Sequence, residues 1–140
     1  MTFEQWAESV SMAIRGDRIW RMEAYRLALF LFHLAWPDAT KLIQDPRTVG
    51  VADQLYRSAG SISANLTEGY SRGTGPDRAR FYEYALGSAR ETRDWYYKAS
   101  PILGQAVFTH RTDVITSIIR LTLTMVPEQR KRKTRLVPQS

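Results

Sequence analysis

The sequence predicts an all-α protein: four long helices, a short N-terminal accessory helix before them and a basic C-terminal tail after them. Three observations carry this. Apolar residues recur at helical rather than alternating spacing. Glycine and proline gather at 37–50, 69–76 and 101–104, leaving long stretches broken only by single glycines. Finally, 140 residues with 44% hydrophobic and 11% aromatic side chains suffice for one domain with a real core.

The elements follow in order. Thr2 and Gln5 have capping-box spacing, and Phe3, Trp6, Val10 and Ala13/Ile14 share one face up to Gly16, giving an accessory helix within 1–16. Asp17 is a good N-cap for a first long helix to about Trp36, with Ile19, Met22, Leu27, Phe30 and Leu34 on its apolar face. Pro37 stops or kinks it, and 38–44 adds a short helical turn. Asp45-Pro46 then restarts the chain for a second long helix from about Arg47 to Glu68, with Gly69 as its C′ residue. The short polar loop 70–76 returns the third helix, about Pro76 to Ser100, antiparallel to the second. Pro101 and Gly104 end the third helix. A fourth runs from about Thr109 to Val126, where Pro127 stops it. The bundle therefore spans 17–127, and 128–140 reads as a fraying basic tail.

Composition excludes several functions. With no cysteine there is no disulfide framework, thiolate nucleophile, zinc finger or iron–sulfur cluster, and His33 and His110 are the two imidazoles. They fall on different helices without the Glu-x-x-His spacing of carboxylate metal sites, and His33, inside an oily run, reads as a core or interface histidine. Gly69, Gly73 and Gly75 precede no Gly-Lys-Ser/Thr, so the loop is a turn rather than a phosphate loop. No cofactor is expected, and no nucleophile lies beside the helical glutamates; the chain reads as non-enzymatic. The oily run from Leu27 to Trp36 is about half of the ~20 residues a spanning helix needs. With Glu4 and Glu8 where a signal peptide would be basic, a cytoplasmic protein is expected.

Charge is asymmetric. The net charge is +6, yet residues 1–70 hold seven basic and eight acidic side chains, and residues 71–140 hold thirteen and six. From Glu128 onward, Arg130, Lys131, Arg132, Lys133 and Arg135 face a single acid. Such a run collects phosphates or merely solubilises. On the third helix Arg90, Arg93 and Tyr97 fall at spacings 3 and 4, near Lys98, while Arg72 and Arg78 flank the loop. Guanidiniums suit phosphates and aromatics suit unstacked bases, although the same side chains also suit packing or subunit contacts.

Two motifs carry more. Arg57, Ser61, Asn65 and Glu68 lie on one stripe of the second helix, and Glu83, Gly87 and Glu91 on one stripe of the third. An antiparallel register in which facing numbers sum to about 148 sets Arg57 against Glu91, Ser61 against Gly87, Asn65 against Glu83 and Glu68 against Arg80. With Ser88 and small neighbours around Gly87, this reads as a polar zipper in a closely packed interface; the alternative is a solvated face.

The stretch 61–69, S-I-x-x-N-x-x-E-G, followed by 85–91, A-x-G-S-A-x-E, resembles the proteins encoded within intervening sequences of bacterial 23S ribosomal RNA genes, once labelled S23 ribosomal proteins. The resemblance runs from about Asp17 to Val126. It implies an up-down-up-down four-helix bundle that assembles into a homo-oligomeric ring, commonly a pentamer, with no catalytic residues. The family is more distantly similar to accessory proteins of diversity-generating retroelements, which act beside a reverse transcriptase. The leading expectation is a homo-oligomer that binds RNA or DNA through basic surface groups and its tail. The alternative is a scaffold for a protein partner such as a retroelement reverse transcriptase.

Overall fold

The computed structural model describes residues 1–132, and among them six α-helices and one 3-10 helix make up the regular structure, with no strand. The α-helices are α1 (Phe3–Ser9), α2 (Met12–Arg15), α3 (Glu23–Ile43), α4 (Val49–Tyr70), α5 (Gly75–Leu103) and α6 (Gln105–Arg130); the 3-10 helix is Arg18–Arg21. The long helices pack α3 on α4, α4 on α5, α5 on α6 and α6 on α3. Across these pairs Phe32 and Trp36 meet Tyr56, Ser58 meets Thr92, Tyr97 meets Phe108, and Asp38 meets Arg111.

The N-terminal segment begins as its sequence suggests, with Thr2 and Gln5 bonded reciprocally in a capping box. The shared face ends at Val10, however. Ser11 caps a separate four-residue α2, and Ala13 and Ile14 are exposed. Trp6 is the anchor: it is buried against Phe3, Trp20 and Phe30. Asp17 is a cap, its Oδ1 accepting from the Ile19 amide at 3.0 Å, but it caps the 3-10 turn. Burying Ile19 and seating Trp20 on Trp6 fixes that turn, and extended Met22 separates it from α3.

Proline marks the ends of these helices less sharply than its local cost suggests. α3 continues through Pro37 to Ile43, because Ala35, Asp38, Ala39 and Leu42 on either side of it are buried; that packing outweighs a penalty of about 3 kcal/mol. Pro101 lies inside α5 for the same reason, with Leu103 buried beyond it, and Pro127 lies inside α6, which runs on to Arg130. Consequently 128–130 are helical rather than frayed. The break between α5 and α6 falls at Gly104, whose φ of 88° is left-handed and suited to glycine. α6 thus starts at Gln105, four residues before the expected Thr109.

α4 starts at Val49 rather than Arg47. Asp45 accepts from the Arg47 amide at 2.8 Å and pairs with the Arg47 side chain at 2.7 Å, closing a turn, while Thr48 donates its hydroxyl to the Leu42 carbonyl at 2.6 Å. The Arg47 hydrogen bonds hold the Asp45 carboxyl down at about 2. At the other end Gly69 is still helical and sits against Tyr82, where a Cβ would lie 2.7 Å from the ring. Leu31, Leu42, Leu55, Ile62, Leu66, Ile115 and Ile118 are fully buried, each contributing about 1.5–3 kcal/mol.

Candidate nucleic-acid interface

The polar motif is real as a set of residues and different as a set of partners. Across α4 and α5, Ser61 Oγ meets Ser88 Oγ at 2.8 Å and Thr92 Oγ1 donates to Ser58 Oγ at 2.9 Å. Facing numbers therefore sum to 149 or 150. Ser88 stands in place of Gly87, and Ser58 and Thr92 in place of Arg57 and Glu91; one position turns a helical face by about 100°, and that displaces the expected charged pairs. Arg57 bonds Asp53 at 3.0 Å and Glu91 accepts from the Trp95 indole at 3.0 Å, so they do not meet each other. Glu68 pairs with Arg72 at 3.3 Å and Arg80 with Asp77 at 3.4 Å. Asn65 donates to the Ser61 carbonyl at 2.9 Å instead of meeting Glu83, whose carboxylate is paired with Arg130. Gly87 is exposed, with nothing within 4 Å of where a Cβ would stand, so no close approach explains it.

The basic candidates fall into three places. Arg90, Arg93 and Tyr97 on α5 line one groove together with Asp94 and with Phe108 and Thr112 of α6. Tyr97 is 68% exposed and its ring stands 6.0 Å from that of Phe108 in an edge-on arrangement. Neither Arg90 nor Arg93 has a hydrogen bond or ion pair among the described residues. Lys98, one residue further, pairs with Asp94 of the groove at 2.7 Å and covers the Trp95 ring at 4.4 Å.

At the loop, Arg72 and Arg80 flank the Phe81 ring at 4.6 and 4.8 Å. Arg78 is only 8% exposed, so it is not the open phosphate ligand the sequence suggests. Its Nε donates to the Arg72 carbonyl at 3.0 Å and its guanidinium lies 5.3 Å from the Tyr70 ring, holding the α4–α5 turn. At the end of α6, Arg130 is tied to Glu83 and Arg132 lies 3.7 Å from Glu128, whereas Lys131 is exposed. Lys133 and Arg135 fall outside the described residues.

Sequence reading missed a buried ionic cluster. Asp38 accepts from Tyr96 Oη at 2.7 Å, from Arg111 Nε at 2.7 Å and from Arg111 Nη2 at 3.1 Å, linking α3, α5 and α6. Burial, with the Asp38 charge beside it, pushes the Tyr96 phenol far above its ordinary range; burial alone would lower Arg111, but Asp38 carries it upward. The signal was present, because Leu31, Ala35, Asp38 and Leu42 form one stripe once α3 is allowed to cross Pro37. His33, by contrast, is exposed beside Trp6 and does not belong to the core. Beside it Trp36, 66% exposed, adjoins Phe32 and Tyr56, and with Ile43 and Val49 these form a continuous apolar face across α3 and α4.

The family model for the 23S rRNA-intervening sequence protein matches residues 21–121. The chain belongs to that family. A solved protein of unknown function from the S23 ribosomal protein family of Bacteroides thetaiotaomicron shares the fold with a TM-score of 0.69 at 19% identity, over 74% of this chain and 97% of that one. No curated protein matches the chain. The 21–121 match places α3, α4, α5 and most of α6 within the intervening-sequence family, and leaves α1, α2 and the end of α6 outside it. Among the described residues no helix is long and apolar enough to cross a membrane.

Proposed function

We propose that this intervening-sequence family member is a non-enzymatic, homo-oligomeric four-helix bundle of up-down-up-down order, cytoplasmic, that binds RNA or DNA. The observation that carries the reading is the α5–α6 groove: two guanidiniums with no hydrogen bond or ion pair among the described residues, beside an exposed tyrosine. Arg90 and Arg93 offer forked donors to phosphates, and Tyr97 offers a π-face to an unstacked base. The charge excess in the second half of the chain supports the same partner. The apolar face of Trp36, Tyr56, Ile43 and Val49 supports self-assembly, since water-exposed patches of this kind are uncommon on monomers. A ring of about five copies is the expected size.

The test is a labelled single-stranded RNA titrated across a salt series. Affinity should fall with salt, R90Q/R93Q should flatten the slope by about 1.4, and Tyr97→Ala should cost about 1–3 kcal/mol of binding. Salt-independent or absent binding overturns the reading. The apolar face also favours a second reading, a scaffold for a protein such as a retroelement reverse transcriptase. Sedimentation separates them: a monomer at micromolar concentration leaves that face for a different protein.

A further inference from the structure

A second cleft lies at the opposite end of α5, where the 3-10 helix, the end of α4, the start of α5 and the end of α6 converge. Four arginines from three separate segments line it: Arg18 and Arg21 from the 3-10 helix, Arg78 from α5 and Arg132 just beyond α6. The phenols of Tyr70 and Tyr82 line it too. Two carboxylates, Glu23 and Glu128, are its acidic members. Arg21 has no hydrogen bond or ion pair among the described residues, and the Glu128 contact of Arg132 is long at 3.7 Å. Burial pushes the Tyr82 phenol up to about 12 while Arg78 and Arg132 pull the other way, so at neutral pH it is a donor beside two guanidiniums. Gathering like charges in this way costs free energy unless an anion joins them.

Resting on the nucleic-acid reading above, we infer that this cleft is a phosphate-binding site that seats a phosphodiester of the bound strand, with Arg21 and Arg132 as its open ligands and Arg78 as its buried one. Guanidinium forks from different directions match a tetrahedral group with several acceptor oxygens better than a planar carboxylate on a side chain. Arg132 is also the last described residue, and the basic Lys133 and Arg135 follow it in sequence. The cleft lies at the Gly75 end of α5, well over three helical turns from Tyr97, so it is a site separate from the Arg90/Arg93 groove.

The experiment uses the full chain, a labelled oligouridylate and free pyrophosphate as probes. R21Q/R132Q, two exposed positions, is compared with wild type and with R90Q/R93Q; circular dichroism and a thermal melt establish that each is folded. R21Q/R132Q should weaken oligonucleotide binding at least tenfold at low salt and reduce the salt slope by about 1.4. Pyrophosphate should raise the melting temperature of wild type and of R90Q/R93Q but not of R21Q/R132Q. If wild type binds the strand and R21Q/R132Q binds it with unchanged affinity and slope, the cleft inference is overturned and the nucleic-acid reading stands. If wild type ignores the strand yet shows the pyrophosphate shift, the nucleic-acid reading falls and the cleft is a site for a free phosphate. Competition by poly-glutamate as effective as by unlabelled strand overturns the choice of phosphate.

Discussion

Replacing Asp38 with alanine should be among the most damaging single changes in this chain. The carboxylate is 6% exposed and its partner Arg111 is 13% exposed, so neither is well hydrated. Alanine removes three acceptor contacts at 2.7, 2.7 and 3.1 Å, leaving a nearly buried guanidinium with the neutral Tyr96 oxygen and His110 Nδ1 in place of a carboxylate, and the Tyr96 O–H without its acceptor. Breaking a buried pair from one side costs about 3–5 kcal/mol, which for a chain of this size lowers the melting temperature by about 10–20 °C. The same physics makes the opposite prediction for replacing the whole cluster. D38L/Y96F/R111M removes every polar group that needs a partner and should lie within about 1 kcal/mol of wild type. Urea unfolding at one fixed protein concentration measures both, since an oligomer's midpoint depends on concentration. A loss below about 1 kcal/mol for Asp38→Ala, or a triple variant as unstable as the single one, refutes the account.

Gly69→Ala should destabilise by about 1–3 kcal/mol, because its Cβ would meet the Tyr82 ring at 2.7 Å and the Phe81 Cβ at 3.0 Å, whereas Gly87→Ala, with open space around it, should stabilise the helix by about 0.5–1 kcal/mol; thermal melts distinguish them. Glu91→Ala should change stability by about 0.5 kcal/mol or less, since its bond to the Trp95 indole is solvent-exposed, while Thr92→Val, which removes the buried bond to Ser58, should cost about 1 kcal/mol in the same melts. Tyr82 makes the fold alkali-sensitive. Its phenol ionises near 12 when folded against 10 when not, so its contribution is fully present below pH 10 and is lost as pH rises through 12. An absorbance titration should show its ionisation arriving together with loss of helical circular dichroism, and early, reversible ionisation of every tyrosine in the folded chain would contradict it.

Local chemistry alone determined the helical class, the Thr2 capping box, the polar α4–α5 turn and the stripe of Arg90, Arg93 and Tyr97, because each depends on spacing within a few residues. Family membership was legible for a related reason: two motifs on consecutive helices are a pattern in one dimension. Partners across helices were not. The residues of the expected zipper share helical stripes, but an antiparallel pair can slide, and one or two residues of slip carried Gly87 into solvent and brought Ser58 onto Thr92. Helix ends were decided the same way, since buried Ala39, Leu42, Leu103 and Val126 outweigh the local cost of Pro37, Pro101 and Pro127. Asp38, Tyr96 and Arg111 are 58 and 73 residues apart, and so are the arginines of the end cleft scattered along the chain. Packing energy is gained by the whole set of contacts at once, so which charges become neighbours is settled only when the helices close on one another.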